Sequence, residues 1–168
     1  DNYFALFHLK PSFKIDRGAL ETSYLAVQKE VHPDMHASKS DAEKRVSMQM
    51  ATLVNTAYRT LRNPIERGLY LCRAHGVDPQ LETNTAMPAT FLMQQMEWRE
   101  TLDEQAEELP ELEALMTEVQ ESKSDILVEI TEAIDVAKNY QRAAELLRGL
   151  LFVDKFAIEL DDAIATLI

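Results

Sequence analysis

With 168 residues, 46% of them hydrophobic, the chain is long enough for one packed domain or two small ones, and its single cysteine, Cys72, excludes a disulfide framework and fits a reducing compartment. No apolar run approaches membrane-spanning length and no charged-then-apolar leader opens it, so we expect a soluble, cytoplasmic protein with no membrane partner. The net charge of −12 is uneven: residues 1–75 carry 11 Lys and Arg against 8 Asp and Glu, and residues 76–168 carry 6 against 21, which points to two modules with different partners and makes nucleic acid a poor guess for the acidic one.

Tyr3-Phe4-Ala5-Leu6-Phe7 reads as one or two helical turns whose aromatics are core anchors for the helices after it. Asp16 is a credible N-cap for a helix of about four turns reaching Val31, in which Leu20, Tyr24, Val27 and Val31 form one narrow apolar stripe. Val31-His32-Pro33-Asp34 interrupts it. Pro33 fixes its own φ and pushes His32 towards an extended conformation, so His32 and Asp34 are expected on a polar loop. Ser40 or Asp41 starts the next helix, with Val46, Met50, Leu53, Val54, Ala57 and Leu61 at helical spacing. The two stripes predict an antiparallel hairpin with the loop at one end. Asn63-Pro64 ends that helix and suits the start of a shorter one closing near His75-Gly76.

From Val77 to Pro88 periodicity is lost, and a domain boundary falls there. Pro88 opens a helical region with Phe91, Trp98, Leu102, Ala106 and Leu109 on one face, Gln95 among them. Leu92, Met93 and Met96 lie on the far side, beside Glu97, Glu100 and Glu104. Two readings stand: the bundle buries a wider arc than this stripe, or the trio and its acidic ladder form a partner-binding face. Pro110 starts another helix, with Leu112, Leu115, Met116, Val119, Ile126, Leu127, Ile130, Ile134 and Ala137 in its stripe. A last helix begins near Tyr140 and carries Leu146, Leu147, Leu150, Leu151, Val153, Ala157, Leu160 and Ile164, with Phe152 roughly on the back of that face. Three amphipathic helices with short connections predict an antiparallel three-helix bundle, and the whole chain reads as all-α.

Other chemistries are weakly supported. His32, Asp34 and His36 give an H-x-D-x-H pattern of zinc-type ligands, but Pro33 and the lack of an obvious fourth ligand count against it. Cys72 and His75 make a C-x-x-H pair without a second pair. A His with an Asp suits general base catalysis, yet the chain has no convincing nucleophile context and no glycine-rich phosphate loop.

The aromatic opening, the helix leading into His32-Pro33-Asp34, the helix after it and the run Ala57-Tyr58-Arg59-Thr60-Leu61-Arg62-Asn63-Pro64-Ile65-Glu66-Arg67 together resemble the J domain of J-protein co-chaperones. Phe91-Leu92-Met93 with Glu97, Arg99 and Glu100, and Leu151-Phe152-Val153-Asp154-Lys155, extend the likeness over the whole chain to the HscB family of iron–sulfur cluster assembly. The lack of an N-terminal cysteine-rich module looks like the bacterial branch.

The resemblance implies a J domain over 1–76, a linker over 77–87 and a scaffold-binding three-helix bundle over 88–168. It implies that His32, Pro33 and Asp34, with Lys29, dock on an HscA-type ATPase chaperone and stimulate ATP hydrolysis there, so that the chain is no enzyme and holds no cofactor. It assigns Leu92, Met93, Met96, Glu97, Glu100, Glu104 and Phe152 to an IscU-type scaffold protein. The chain departs from many J domains in having Lys29 as the only basic residue between Arg17 and the loop, and Met35 after Asp34. Lys10, Lys14, Arg17, Lys44 and Arg45 are therefore further candidates for the chaperone contact. A monomer is expected, and the alternative is a general J-protein whose C-terminal bundle dimerises or binds other clients.

Overall fold

A computed structural model describes residues 2–32 and 40–168. Within these residues the secondary structure is helical throughout: α1 (Tyr3–Leu6), α2 (Arg17–Val31), α3 (Asp41–Arg62), α4 (Pro64–Ala74), α5 (Ala89–Glu104), α6 (Leu109–Thr131) with a π-helical turn at Glu132–Val136, and α7 (Tyr140–Ala165). The chain forms two compact units, Asp1–Leu71 and Cys72–Ile168.

In the first unit, local chemistry marks the helix starts. Asp16 Oδ1 accepts from Ala19 N at 3.1 Å and begins α2. Ser40 Oγ accepts from Glu43 N at 3.3 Å and donates to Glu43 Oε1 at 3.1 Å, which begins α3. Asn63 Oδ1 accepts from Ile65 N and Glu66 N, placing Pro64 at the first position of α4, where a missing N–H costs nothing. Helices α2 and α3 form the expected hairpin, joined by stacked Tyr24 and Tyr58 rings 3.9 Å apart and by the Tyr24 hydroxyl donating to Asn55. Phe4, Phe7, Phe13, Leu20, Val54, Ala57 and Leu61 make the core. Arg67 is buried with them: its guanidinium donates to the carbonyls of Phe13 and Leu61, each at 2.6 Å, and lies over the Phe13 ring. That arginine ties the loop before α2 to the junction of α3 and α4.

Val46 and Met50 depart from the expected stripe, being 58% and 36% exposed. Helix α3 has 22 residues against 15 in α2, so its first turns run past the end of its neighbour.

The second unit is an up-down-up bundle. Ser122 on α6 donates to Gln94 on α5, and Lys123 and Arg142 pair with Asp154 and Glu129 across α6 and α7, as antiparallel neighbours require. Helices α5 and α7 run parallel: Trp98 stacks on Phe156 and Arg99 pairs with Glu159, so a residue on α5 faces one about sixty positions later on α7. The core is built from Trp98, Leu112, Val119, Ile126, Ile130, Leu146, Leu147, Leu150, Val153, Phe156 and Leu160. Arg148 is buried too, and its guanidinium donates to the carbonyls of Pro79 and Ala86. The aperiodic segment before α5 is thereby held on α7.

Three details differ from the periodicity. Helix α5 ends at Glu104, and Ala106 sits exposed in the turn that leads to Pro110. The π-helical turn adds a residue to the last winding of α6, which keeps Ala133 and Ile134 buried and rotates Ala137 outward. Phe156, absent from the expected α7 stripe, is a central core residue.

Candidate functional site

Two places carry the site residues expected from sequence. The first is the end of α2. His32 caps the helix in extended conformation (φ −61°, ψ 132°), as a residue before proline must, and is exposed, while Lys29 is exposed in the last turn. Pro33 and Asp34 lie outside the described residues, as do Met35 and His36.

The second lies between the parallel helices α5 and α7. Gln95, Met96, Arg99, Glu100, Asp103 and Glu104 from α5 and Phe152 from α7 line an open groove of about 570 Å3. The spacing explains its walls: Gln95, Arg99 and Asp103 follow one i, i+4 row along the helix, and Met96, Glu100 and Glu104 follow the adjacent row. Of the seven expected residues, Met96, Glu100, Glu104 and Phe152 share the groove. Leu92, Met93 and Glu97 are exposed on α5 but do not line it.

Exposure removes one of the two readings left open for the apolar trio, that of a wider buried arc. Leu92, Met93 and Met96 are 45%, 63% and 72% exposed, so the bundle does not bury them. Three large apolar side chains in one helical stretch, beside a groove walled by Phe152, form a surface that gains by being covered.

Arg99 is the residue that sequence reasoning did not place in the groove, nor were Gln95 and Asp103. The row 95, 99, 103 was the available signal. Arg99 forms a two-point ion pair with Glu159 on α7 and lies over the Phe156 ring, 5.3 Å from its centroid. The bond from Arg99 holds the Glu159 carboxyl below its ordinary pKa, and the same bond raises that of Arg99. Among the described residues lining the groove the one cation is thus already matched by a carboxylate from outside it. Gln95 contributes a buried Nε2 that has no hydrogen-bond partner among the described residues.

The C-x-x-H pair is occupied otherwise. Cys72 is buried with its thiol towards the Tyr140 carbonyl at 3.8 Å, and the His75 ring stacks on Tyr140 at 4.1 Å. Burial pushes the Cys72 thiol up to about 11. Among the described residues no cluster of three His, Cys, Asp or Glu is placed to hold a metal ion, and no helix is long and apolar enough to cross a membrane.

A helical hairpin braced by a short aromatic helix, followed by a three-helix bundle with an acidic, apolar-edged groove, has the architecture of a J-protein co-chaperone with a C-terminal helical domain. Residues 87–161 match the family model described as the HSCB C-terminal oligomerisation domain. The chain is 45% identical over 168 residues to the co-chaperone protein HscB homolog of Azoarcus sp. (strain BH72), covering 99% of this chain and 95% of that one. It is 45% identical over 161 residues to the homolog from Burkholderia multivorans (strain ATCC 17616 / 249), covering 95% and 91%. Among solved structures it is similar to chaperone HscB from Vibrio cholerae, with a TM-score of 0.85, 31% identity and full coverage of both chains. Human co-chaperone protein HscB superposes with a TM-score of 0.85 at 30% identity, covering 96% of this chain and 81% of that one. The chain belongs to the HscB family of co-chaperones, which serve iron–sulfur cluster assembly and are not themselves catalytic.

Proposed function

We propose that this chain works in the cytoplasm as a monomer that grips an IscU-type scaffold protein with its bundle and presents it to an HscA-type ATPase chaperone. Residues 1–76 act as the J domain, 77–87 as the connection and 88–168 as the scaffold-binding domain. His32, Pro33 and Asp34, with Lys29 beside them, dock on the chaperone and stimulate its ATP hydrolysis. A carboxylate at Asp34 is suited to accept a charge-assisted hydrogen bond from a partner's arginine, and Pro33 limits the entropy lost on docking.

The scaffold surface comprises Leu92, Met93, Met96, Glu97, Glu100, Glu104 and Phe152. The observation that carries this reading is the groove itself, in which Met96 and Phe152 offer apolar area beside Glu100 and Glu104. An apolar contact ringed by carboxylates suits a partner surface with exposed aliphatic side chains flanked by lysines or arginines. Calorimetric titration of the scaffold protein into the full chain tests it. The double variant Met96→Ala/Phe152→Ala is expected to weaken binding at least tenfold, on the order of 1.4 kcal/mol or more. Undiminished affinity in a folded double variant removes the proposed surface.

A further inference from the structure

We infer that Gly149 is a positioning residue for scaffold recognition: with Arg148 it forms a seat on α7 that fixes where α5 starts and so sets the width of the groove. The inference rests on that groove being the scaffold-binding surface. Gly149 is fully helical and buried, with no turn or positive φ to require glycine. What requires it is the Phe91 ring. A Cβ built on Gly149 lands 2.5 Å from Phe91 Cε2 and closer still to Cδ2, against an ordinary contact that begins at 3.4 Å. An alanine there forces the ring, which is half-buried, to withdraw by roughly 1 Å, an overpacking that its neighbours must take up.

The neighbouring residue closes off the easy way out. Arg148 donates to the carbonyls of Pro79 and Ala86, so the backbone leading into α5 is pinned to α7 just upstream of Phe91. Phe91 itself is in the first turn of α5, its N–H bonded to the Pro88 carbonyl at 2.9 Å. One side chain of α7 therefore pulls the entry segment in, while the next position lets the aromatic ring sit against bare backbone. Because α5 and α7 run parallel, one turn further along each helix brings Gln95 opposite Phe152, where the groove begins. A displaced Phe91 shifts α5 against α7 at that point and separates Met96 from Phe152.

The experiment combines scaffold titration with NMR of methionine methyl groups in the full chain. Gly149→Ala is expected to weaken scaffold binding by about tenfold and to shift the Met93 and Met96 methyl resonances while leaving Met116, on α6, in place. Adding Phe91→Leu to Gly149→Ala restores the summed side-chain volume and returns affinity to within about threefold of native. A folded Gly149→Ala chain with native affinity and unmoved Met93 and Met96 methyls overturns the inference, as does a loss that Phe91→Leu fails to relieve. If Gly149→Ala alone does not fold, Phe91→Leu on the native background takes its place, since it empties the seat without adding atoms. It must then move the Met96 methyl and weaken binding, and unchanged values overturn the inference. Met96→Ala/Phe152→Ala separates the two levels: if it leaves affinity intact, the groove reading falls, whereas if it weakens binding and Gly149→Ala does not, only the role of Gly149 falls.

Discussion

Met96→Ala separates binding from folding more cleanly than any other single change in the groove. Full burial of a methionine side chain is worth about 1.5–3 kcal/mol, and Met96 is 72% exposed, so most of that value is available to a partner that covers it. Truncation should cost about 1–2 kcal/mol of binding, a five- to thirtyfold loss of affinity. The same arithmetic leaves less than about 1 kcal/mol for the fold, because only the smaller part of the side chain is covered within the bundle. Calorimetry with the scaffold protein measures the first quantity and urea unfolding the second. Affinity within twofold of native refutes the assignment of Met96 to the interface. A stability loss above about 2 kcal/mol refutes it differently, because a loss of that size belongs to a side chain packed in the core.

Asp34→Ala is expected to abolish stimulation of the chaperone ATPase while leaving scaffold affinity unchanged, and a steady-state ATPase assay beside the titration reads both. Cys72 should resist a thiol reagent at neutral pH and react only as fast as the chain opens, since burial pushes its pKa up to about 11. Between about pH 9 and 11 the unfolded thiol has lost a proton that the folded one keeps, so stability falls as pH rises, by roughly 2–3 kcal/mol once pH exceeds the folded pKa. Tyr140, also raised by burial, acts in the same direction. Urea unfolding at pH 8 and pH 11 should show a smaller decrease for Cys72→Ala than for the native chain. Glu159→Gln should change stability by no more than about 1 kcal/mol, because the pair with Arg99 is half exposed and solvent screens it. What little it contributes is present above the ordinary glutamate pKa and fades as pH falls through the depressed one.

The hairpin and the bundle were legible in the sequence because their signals are local. Asp16, Ser40 and Asn63 cap helices by accepting from backbone N–H groups two or three residues on, and apolar spacing identifies most of the buried face. What escaped depends on contacts distant in sequence or on small changes of helical phase. Phe156 is needed because Trp98, 58 positions earlier, lies against it, and Gly149 because Phe91 does. Arg67 and Arg148 look like surface charges until the carbonyls they bind, 54 and 69 positions away at the farthest, come into reach. The extra residue of the π-helical turn moved Ala137 off the face that a 3.6-residue period assigns it. The groove was half visible: Met96, Glu100 and Glu104 stand out on one row of α5, but only the parallel placement of α7 joins Phe152 to them and shows that Gln95, Arg99 and Asp103 share its lining.

The charge arrangement around the groove has a kinetic consequence. Glu100, Asp103 and Glu104 line it against one guanidinium, and that guanidinium is already paired with Glu159, so a docking partner meets a surface of net negative charge. These carboxylates are exposed, and screening lengths of about 8 Å at physiological salt shrink to about 3 Å at 1 M, so their pull on an approaching basic surface is a long-range, salt-sensitive effect. The apolar contacts of Met96 and Phe152 act only once the surfaces meet and are not weakened by ionic strength. The association rate of the scaffold protein should therefore fall steeply with added salt while its dissociation rate stays nearly constant. Glu100→Gln/Glu104→Gln should flatten the salt dependence of association, and Met96→Ala should instead speed dissociation at every salt concentration. Stopped-flow or surface-based kinetics at several ionic strengths distinguish the two. A dissociation rate that rises with salt as strongly as association falls would mean that the carboxylates form the close contact and the apolar residues only surround it.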